Sequence, residues 1–395
     1  MASRPPRCLP TILLLLAAGC GPDVSGPVTV GVLGPGETPG TYAIVPTELP
    51  EIESLAHLRG PGVEVLAGAK LVLDHDEIAR GIEAGELLTL DDVKEAMVRR
   101  RGRPPRAMFS PGTLESAGGA QTVWLAEDYH SLGMATAYAH VARARRAAVG
   151  AGLPPACLAR LPTYYDLTFI ERAGGVGGKQ HDNAFFMPLM GSIFFLPHDA
   201  FPTLAMAMNQ GIIAHEYSHG IWSCLVDDFE PLSWRTLSLD GPAQARLAGF
   251  NEGLADYFGA WVTGDPDFIA LTLPSESDRR DVSVARLYTQ AMADAEQNLT
   301  GFDPYLLGAV LASALWRIRA ESEDPGVADR WVLAALAALP AALEWAIQRV
   351  GTFTVPDFLA VLAAASAGEG APFQARVCRI LGERFAAAGP VNGCP

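Results

Sequence analysis

Ile212-Ile213-Ala214-His215-Glu216-Tyr217-Ser218-His219-Gly220-Ile221-Trp222 is apolar at both ends and carries two histidines four positions apart. No proline lies between Pro202 and Pro231, so the stretch is free to be helical. On a helix, positions i and i+4 share a face, and both imidazoles reach one ion. Glu216 follows the first histidine and is placed to act on a water as general base. Such a short pattern also arises by chance, as a surface helix with two histidines and a glutamate. A third ligand therefore decides its meaning.

A catalytic zinc takes three protein ligands and leaves one position open. Glu252 is the candidate, 33 positions after His219, in Asn251-Glu252-Gly253-Leu254-Ala255-Asp256. Asp256 lies one turn further on the same face, placed to hold a ligand histidine through its distal N–H. The plainer reading of both acids is a solvated helical face. Phe250, Leu254, Tyr257 and Phe258 make the neighbourhood apolar, and unpaired acids are costly there. HEYSHG followed by NEGLAD resembles the gluzincin zinc metallopeptidases, in particular the thermolysin-like and fungalysin-like groups. That resemblance implies a two-lobed α+β peptidase with one catalytic Zn2+ in the cleft. It implies His215, His219 and Glu252 as ligands, Glu216 as the catalytic base, and Asn251 and Asp256 as supports of the ligands. Asp182-Asn183-Ala184-Phe185-Phe186, followed by Gly191-Ser192-Ile193-Phe194-Phe195, extends the likeness. In thermolysin-like enzymes a similar strand lines the cleft and pairs with the substrate backbone, which implies substrate-binding roles for Asn183 and Ala184. The likeness covers roughly residues 121–320 and leaves 21–120 outside it.

Two features depart from that family. The long gap between His219 and Glu252 implies an inserted loop around 227–247. No histidine follows His219, whereas thermolysin-like enzymes use a later one to stabilise the oxyanion. The corresponding segment reads Phe302-Asp303-Pro304-Tyr305-Leu306-Leu307-Gly308, and its available donor is Tyr305. The other reading of Tyr305 is a core aromatic at a helix start. The implied activity is hydrolysis of peptide bonds in a peptide or protein, as an endopeptidase. Two alternatives stay open. One is a catalytically impaired zinc-binding surface lipoprotein that binds a partner, favoured by the missing histidine. The other is a zinc aminopeptidase, which requires an acidic cluster for a free amine. Calcium binding is not legible.

Outward from the motif, residues 126–148 form a predicted helix, with His130 and His140 as structural residues. Strand-like pieces follow at 163–170, 183–187 and 192–196. Helices are predicted over 203–226, 243–262, 282–297, 305–320, 327–350 and 355–365, with Pro340 expected to kink or split the fifth. Strands with one helix followed by helices make the fold α+β with a helical C-terminal lobe. Before residue 121, Val28-Thr29-Val30-Gly31-Val32 alternates as a strand does, and the basic stretch 99–106 reads as an exposed loop or boundary. Asp74-His75-Asp76-Glu77 reads as a helix start rather than a metal cluster. The Gly-rich run 173–178 is a turn, lacking the frame of a nucleotide loop. The division predicted is a signal peptide at 1–19, a tether and N-terminal region at 20–120, an α/β lobe at 121–210 and a helical lobe at 211–395.

The chain has 395 residues, 49% hydrophobic and 18% charged, which is ample for a core. Its net charge of −15 argues against a nucleic-acid partner, which calls for a basic face. Arg4 and Arg7 precede an apolar run, 9–18, that is too short to span a bilayer. The ending Leu16-Ala17-Ala18-Gly19-Cys20 resembles a bacterial lipoprotein signal, although Ala17 stands where such signals usually carry Leu. That resemblance implies lipidation of Cys20 and anchorage to the outer membrane; an ordinary secretory signal is the alternative. Either way the protein is predicted to be exported. Cys157, Cys224, Cys378 and Cys394 then allow three disulfide pairings, with Cys378–Cys394 favoured by spacing. Cys224 alone also reads as a buried thiol.

Overall fold

The computed structural model describes residues 24–36, 41–116, 119–199, 203–228 and 234–394. The signal segment and Cys20 lie outside them. The first part of the chain runs β1 (Val28–Pro35), β2 (Tyr42–Leu49), β3 (Arg59–Gly60), β4 (Val63–Ala67), β5 (Lys70–Asp74), α1 (His75–Glu83), α2 (Leu90–Met97), β6 (Val98–Arg100), β7 (Phe109–Ser116), β8 (Gly119–Ala126) and α3 (Tyr129–Gly150). Five strands follow: β9 (Leu161–Tyr165), β10 (Thr168–Ala173), β11 (Val176–Lys179), β12 (Ala184–Met187) and β13 (Ser192–Phe195). The rest is helical: α4 (Gln210–Leu225), α5 (Trp234–Leu237), α6 (Gly241–Thr263), α7 (Pro274–Arg280), α8 (Gln290–Asn298), α9 (Pro304–Ala320), α10 (Pro325–Arg349), α11 (Val355–Ser366) and α12 (Ala371–Arg384). The fold is α+β, strand-rich first and mostly helical afterwards.

Three sheets form, in the orders β2-β1-β8-β7, β12-β13-β9-β4-β3 and β11-β10-β5-β6. The last two are linked by a shared bend. β4 runs parallel to β9, and their continuations β5 and β10 run parallel to each other. Each chain turns between sheets at a left-handed residue, Gly68 (φ 70°) in one and Asp166 (φ 54°) in the other. The single strand expected over 163–170 is therefore two strands in two sheets. Aspartate tolerates this conformation and leaves no gap in the hydrophobic pattern. The Gly-rich run forms the β10–β11 turn, with Gly174 and Gly175 left-handed. Asp74 caps α1 by accepting the Glu77 N–H, as its helix-start reading requires. The basic stretch departs from a plain loop: Arg100 pairs with Lys70 across β6–β5, and Arg103 bridges to Ala67.

α3 is the pivot between sheets and helices. Ala135, Ala137, Ala139, Ala144 and Ala148 are buried, and such small side chains allow close packing against β1, β4 and α4. α6 meets α9 more closely still. A Cβ added at Gly253 would lie 2.4 Å from the Gly308 carbonyl oxygen, so here the backbones of the two helices touch. α4 meets α6 in the same way, since a Cβ on Gly259 would lie 2.9 Å from the Gly211 oxygen.

Several boundaries differ from expectation. α4 begins at Gln210 rather than 203, because Asn209 caps it. The helix expected over 282–297 shortens to α8. Asp281 accepts from the Ser283 N–H and hydroxyl in a local turn, and Thr289 caps α8 itself. α10 runs through Pro340 without a break. It is long and apolar enough to cross a membrane by composition alone. Trp331, Leu339 and Leu343 are nonetheless buried, and the Trp331 indole donates to the Leu362 carbonyl of α11. Two disulfides form, Cys157–Cys224 and Cys378–Cys394. The second is the pairing favoured by spacing; the first shows that Cys224 is no free thiol. Disulfides persist in oxidising compartments, which suggests an extracellular or periplasmic protein.

Candidate metal centre

α4 is apolar nearly all round and buried, so its polar residues sit in the core. Its start is fixed by Asn209, which is fully buried. The Asn209 Oδ1 accepts from the N–H groups of Gly211 and Ile212, and Nδ2 donates to the Phe268 carbonyl at 2.8 Å and Thr272 Oγ1 at 3.0 Å. α6 begins at Asp240, which accepts the Ala243 N–H. The glycine contact between α4 and α6 then brings His215, His219 and Glu252 together.

Their ligand atoms all lie within 4.8 Å of one another. The His215 Nδ1 lies 3.0 Å from Asp256 Oδ1, and the His219 Nδ1 lies 3.0 Å from Asn251 Oδ1. Both partners accept hydrogen bonds, so each Nδ1 carries the proton and each Nε2 turns a lone pair inward. The two Nε2 atoms are 3.1 Å apart, and the Glu252 carboxylate lies 3.4 Å from one and 3.8 Å from the other. Glu252 Oε2 is buried with no hydrogen-bond partner. Two lone pairs and an orphaned carboxylate oxygen facing one point repel each other unless a cation lies between them. Two imidazoles and one carboxylate are a donor set that suits zinc. A buried His215/His219/Glu252 group able to hold a metal ion is thus present.

Arg280, from α7, completes the surroundings. Its guanidinium forms a two-pronged pair with Asp256, lies 3.2 Å from His215 Nδ1, and stacks 4.9 Å from the Tyr305 ring centre. Burial pushes Asp256 up, but Arg280 and His215 together outweigh it and hold the carboxyl at about 2. Burial also pushes Glu252 up, while His219, His215 and Arg280 together hold it below the usual range. Burial pushes His215 down, yet the Asp256 and Glu252 carboxylates facing its two nitrogens hold it up at about 9. The negative field that would retain a proton there favours any cation at that point.

Glu216 lines the cleft beside the histidines, and its Oε2 accepts the Phe186 N–H at 2.8 Å. That N–H therefore faces away from β13, on the open side of β12, which is the edge of its sheet. Asn183 and Ala184, at the start of this strand, line the cleft beside His215 and Glu216. Tyr305, in the first turn of α9, lines it from the opposite wall. Tyr305 is 40% exposed, which sets aside the core-aromatic reading. Burial of its hydroxyl, with the nearby Glu252 charge, pushes it up to about 12.

Sequence reading did not select Arg280. It lies 24 positions beyond Asp256, in a polar stretch where nothing distinguishes it from Arg279, and Arg279 pairs instead with Asp303 and Glu276. The expected insertion at 227–247 is described only in part. It contains α5 and the start of α6. Compared with models of known protein families, the chain matches none. Compared with curated proteins, it also matches none.

Proposed function

We propose that this protein is an exported zinc metallopeptidase of the gluzincin type, two-lobed and thermolysin-like, hydrolysing internal bonds of peptides or unfolded proteins. The observation that carries the proposal is the buried convergence of His215, His219 and Glu252, with Glu216 alongside in an open cleft. His215 Nε2, His219 Nε2 and the Glu252 carboxylate would hold the ion. Bound there, zinc would supply Lewis acidity to a carbonyl oxygen and acidify water. Glu216 takes the proton of the attacking water and passes it to the leaving amine. The Phe186 N–H fixes one of its oxygens and leaves the other free for that proton. Asp256 and Asn251 keep both histidines in the tautomer that presents Nε2, and Arg280 keeps Asp256 ionised. An extended substrate adds to the open edge of β12 beside Asn183 and Ala184. The Tyr305 hydroxyl, protonated at neutral pH, donates to the developing oxyanion. Lipid anchorage through Cys20 is part of the same proposal.

Glu216→Gln tests it. The amide keeps the size and shape of the side chain but accepts no proton. Elemental analysis should find one zinc per chain in both proteins, while hydrolysis of a peptide library falls about 10²–10⁴-fold in the variant. Wild-type protein that binds zinc and shows no chelator-sensitive hydrolysis overturns the catalytic reading.

A further inference from the structure

The cleft is chemically different at its two ends. Towards the N-terminal end of α4 lies a cavity of about 270 Å³ walled by Ile212, Phe268, Ile269 and Leu273, with Arg279 and Arg280 on its border. Towards the C-terminal end lies another of about 310 Å³, and among the described residues no lysine or arginine lines it. His219 and Ser223 follow one another along this half at helical spacing, and Asp227 lines it just past the end of α4.

Two groups there lack what their surroundings call for. Ser223 is 1% exposed, lines the cavity, and has an Oγ with no hydrogen-bond partner. A buried hydroxyl left so is costly, and a ligand that bonds it removes the cost. Trp222 and Thr236 beside the carboxyl of Asp227 draw it down only in part. Its nearest cation, Arg235, is engaged by Asp228 at 2.7 Å and Glu344 at 3.0 Å. Burial consequently dominates and pushes Asp227 up to about 6. A carboxyl and a hydroxyl, both half-satisfied, match the donors of a guanidinium or ammonium.

We propose that Ser223 and Asp227 form a subsite for a basic side chain, arginine or lysine, of a peptide lying along the cleft. This rests on the peptidase reading and adds a substrate class to it. The length of the helix decides between a side chain and a free amino terminus. Ser223, four positions past His219, is about 6 Å along the axis at helical rise, and Asp227 follows past the end of α4. The amine of a residue whose own carbonyl sits at the ligand group does not reach that far. An extended chain advances about 3.3 Å per residue, so a basic side chain two or three residues from the scissile bond does.

The test uses the Glu216→Gln protein loaded with zinc and fluorescent peptides, N-acetylated, in which arginine is scanned through three positions on each side of a fixed bond. Citrulline, of the same shape but uncharged, replaces arginine in the matched set. At one position arginine should bind about 10–100-fold more tightly than citrulline, as expected for a partly buried charge pair. Asp227→Asn should bring the ratio to within about 2-fold, and Ser223→Ala should lower it. Equal binding at every position, or a preference that survives Asp227→Asn, overturns the proposal. So does a preference for free over acetylated amino termini with none for arginine. Should Asp227→Asn fail to fold, the comparison in the unaltered pocket decides alone. Parallel assays with wild-type enzyme separate the two readings. Chelator-sensitive cleavage without an arginine preference removes the subsite and leaves the peptidase. Discrimination in binding with no cleavage does the reverse.

Discussion

Arg280 shows how one side chain can tie a site together. It neutralises Asp256, which orients His215, and its face covers Tyr305 on the opposite wall. Asp256→Asn leaves the guanidinium buried beside a neutral amide. Breaking such a buried pair costs about 3–5 kcal/mol, which a thermal melt should register. Zinc affinity should fall about 10–100-fold in a chelator competition, because the histidine loses the partner that fixes it. Tyr305→Phe asks a different question. If the hydroxyl meets the oxyanion, kcat should drop about 10²–10³-fold with KM little changed, since the bond forms mainly in the transition state. The candidate ligands were legible because HExxH is a local pattern: four positions make one helical turn, and no tertiary contact is needed to read it. Arg280 was not, because its partners Asp256 and His215 lie far off in the chain, and Asp227 was not, because its place on the cleft is set by the tertiary fold.

At the scale of elements, the glycine contact between α6 and α9 does the positioning. A Cβ at Gly308 would fall 2.8 Å from the Gly253 nitrogen and 3.2 Å from Glu252 Cβ. Gly308→Ala therefore pushes on the helix that carries Glu252. The expected cost is about 1–3 kcal/mol of stability from overpacking. Zinc affinity should fall as well, and an alanine placed at Gly382, where nothing lies within 4 Å of an added Cβ, should leave it unchanged. Calorimetry of zinc binding to both variants checks this. Most of the later helices were legible from apolar periodicity. α7 was not, for it buries no residue and has no pattern to read. α12 buries Phe373, Val377, Ile380 and Leu381 at helical spacing, but Gly368 and Gly370 interrupt the chain just before it and Pro372 stands in its first turn. Strand pairing across a hundred residues, such as β4 with β9, leaves no local trace at all.

Across the whole molecule, the N-terminal region is woven into the rest. β4 and β5 sit between later strands and their own neighbours, β1 pairs with β8, and the Tyr42 hydroxyl lies 3.3 Å from both Asn209 Oδ1 and the Gln210 nitrogen at the start of α4. His140 marks the same seam. From α3 its Nε2 donates to the Leu33 carbonyl of β1 at 2.6 Å, and its Nδ1 is buried with no partner. The imidazole is therefore neutral in the fold, and burial pushes it down to about 4. In the unfolded chain it takes up a proton near pH 6.5, the ordinary value. Above that pH both states are neutral and the contribution is complete. As pH falls from about 6.5 to about 4, only the unfolded chain gains the proton, so stability is lost across that window, by about 3 kcal/mol in all. His140→Gln retains a donor for the Leu33 carbonyl and does not titrate there. Denaturant titrations of both proteins between pH 7.5 and 4 should show the wild type losing that much more stability than the variant. Parallel curves would mean that this seam carries no buried neutral histidine.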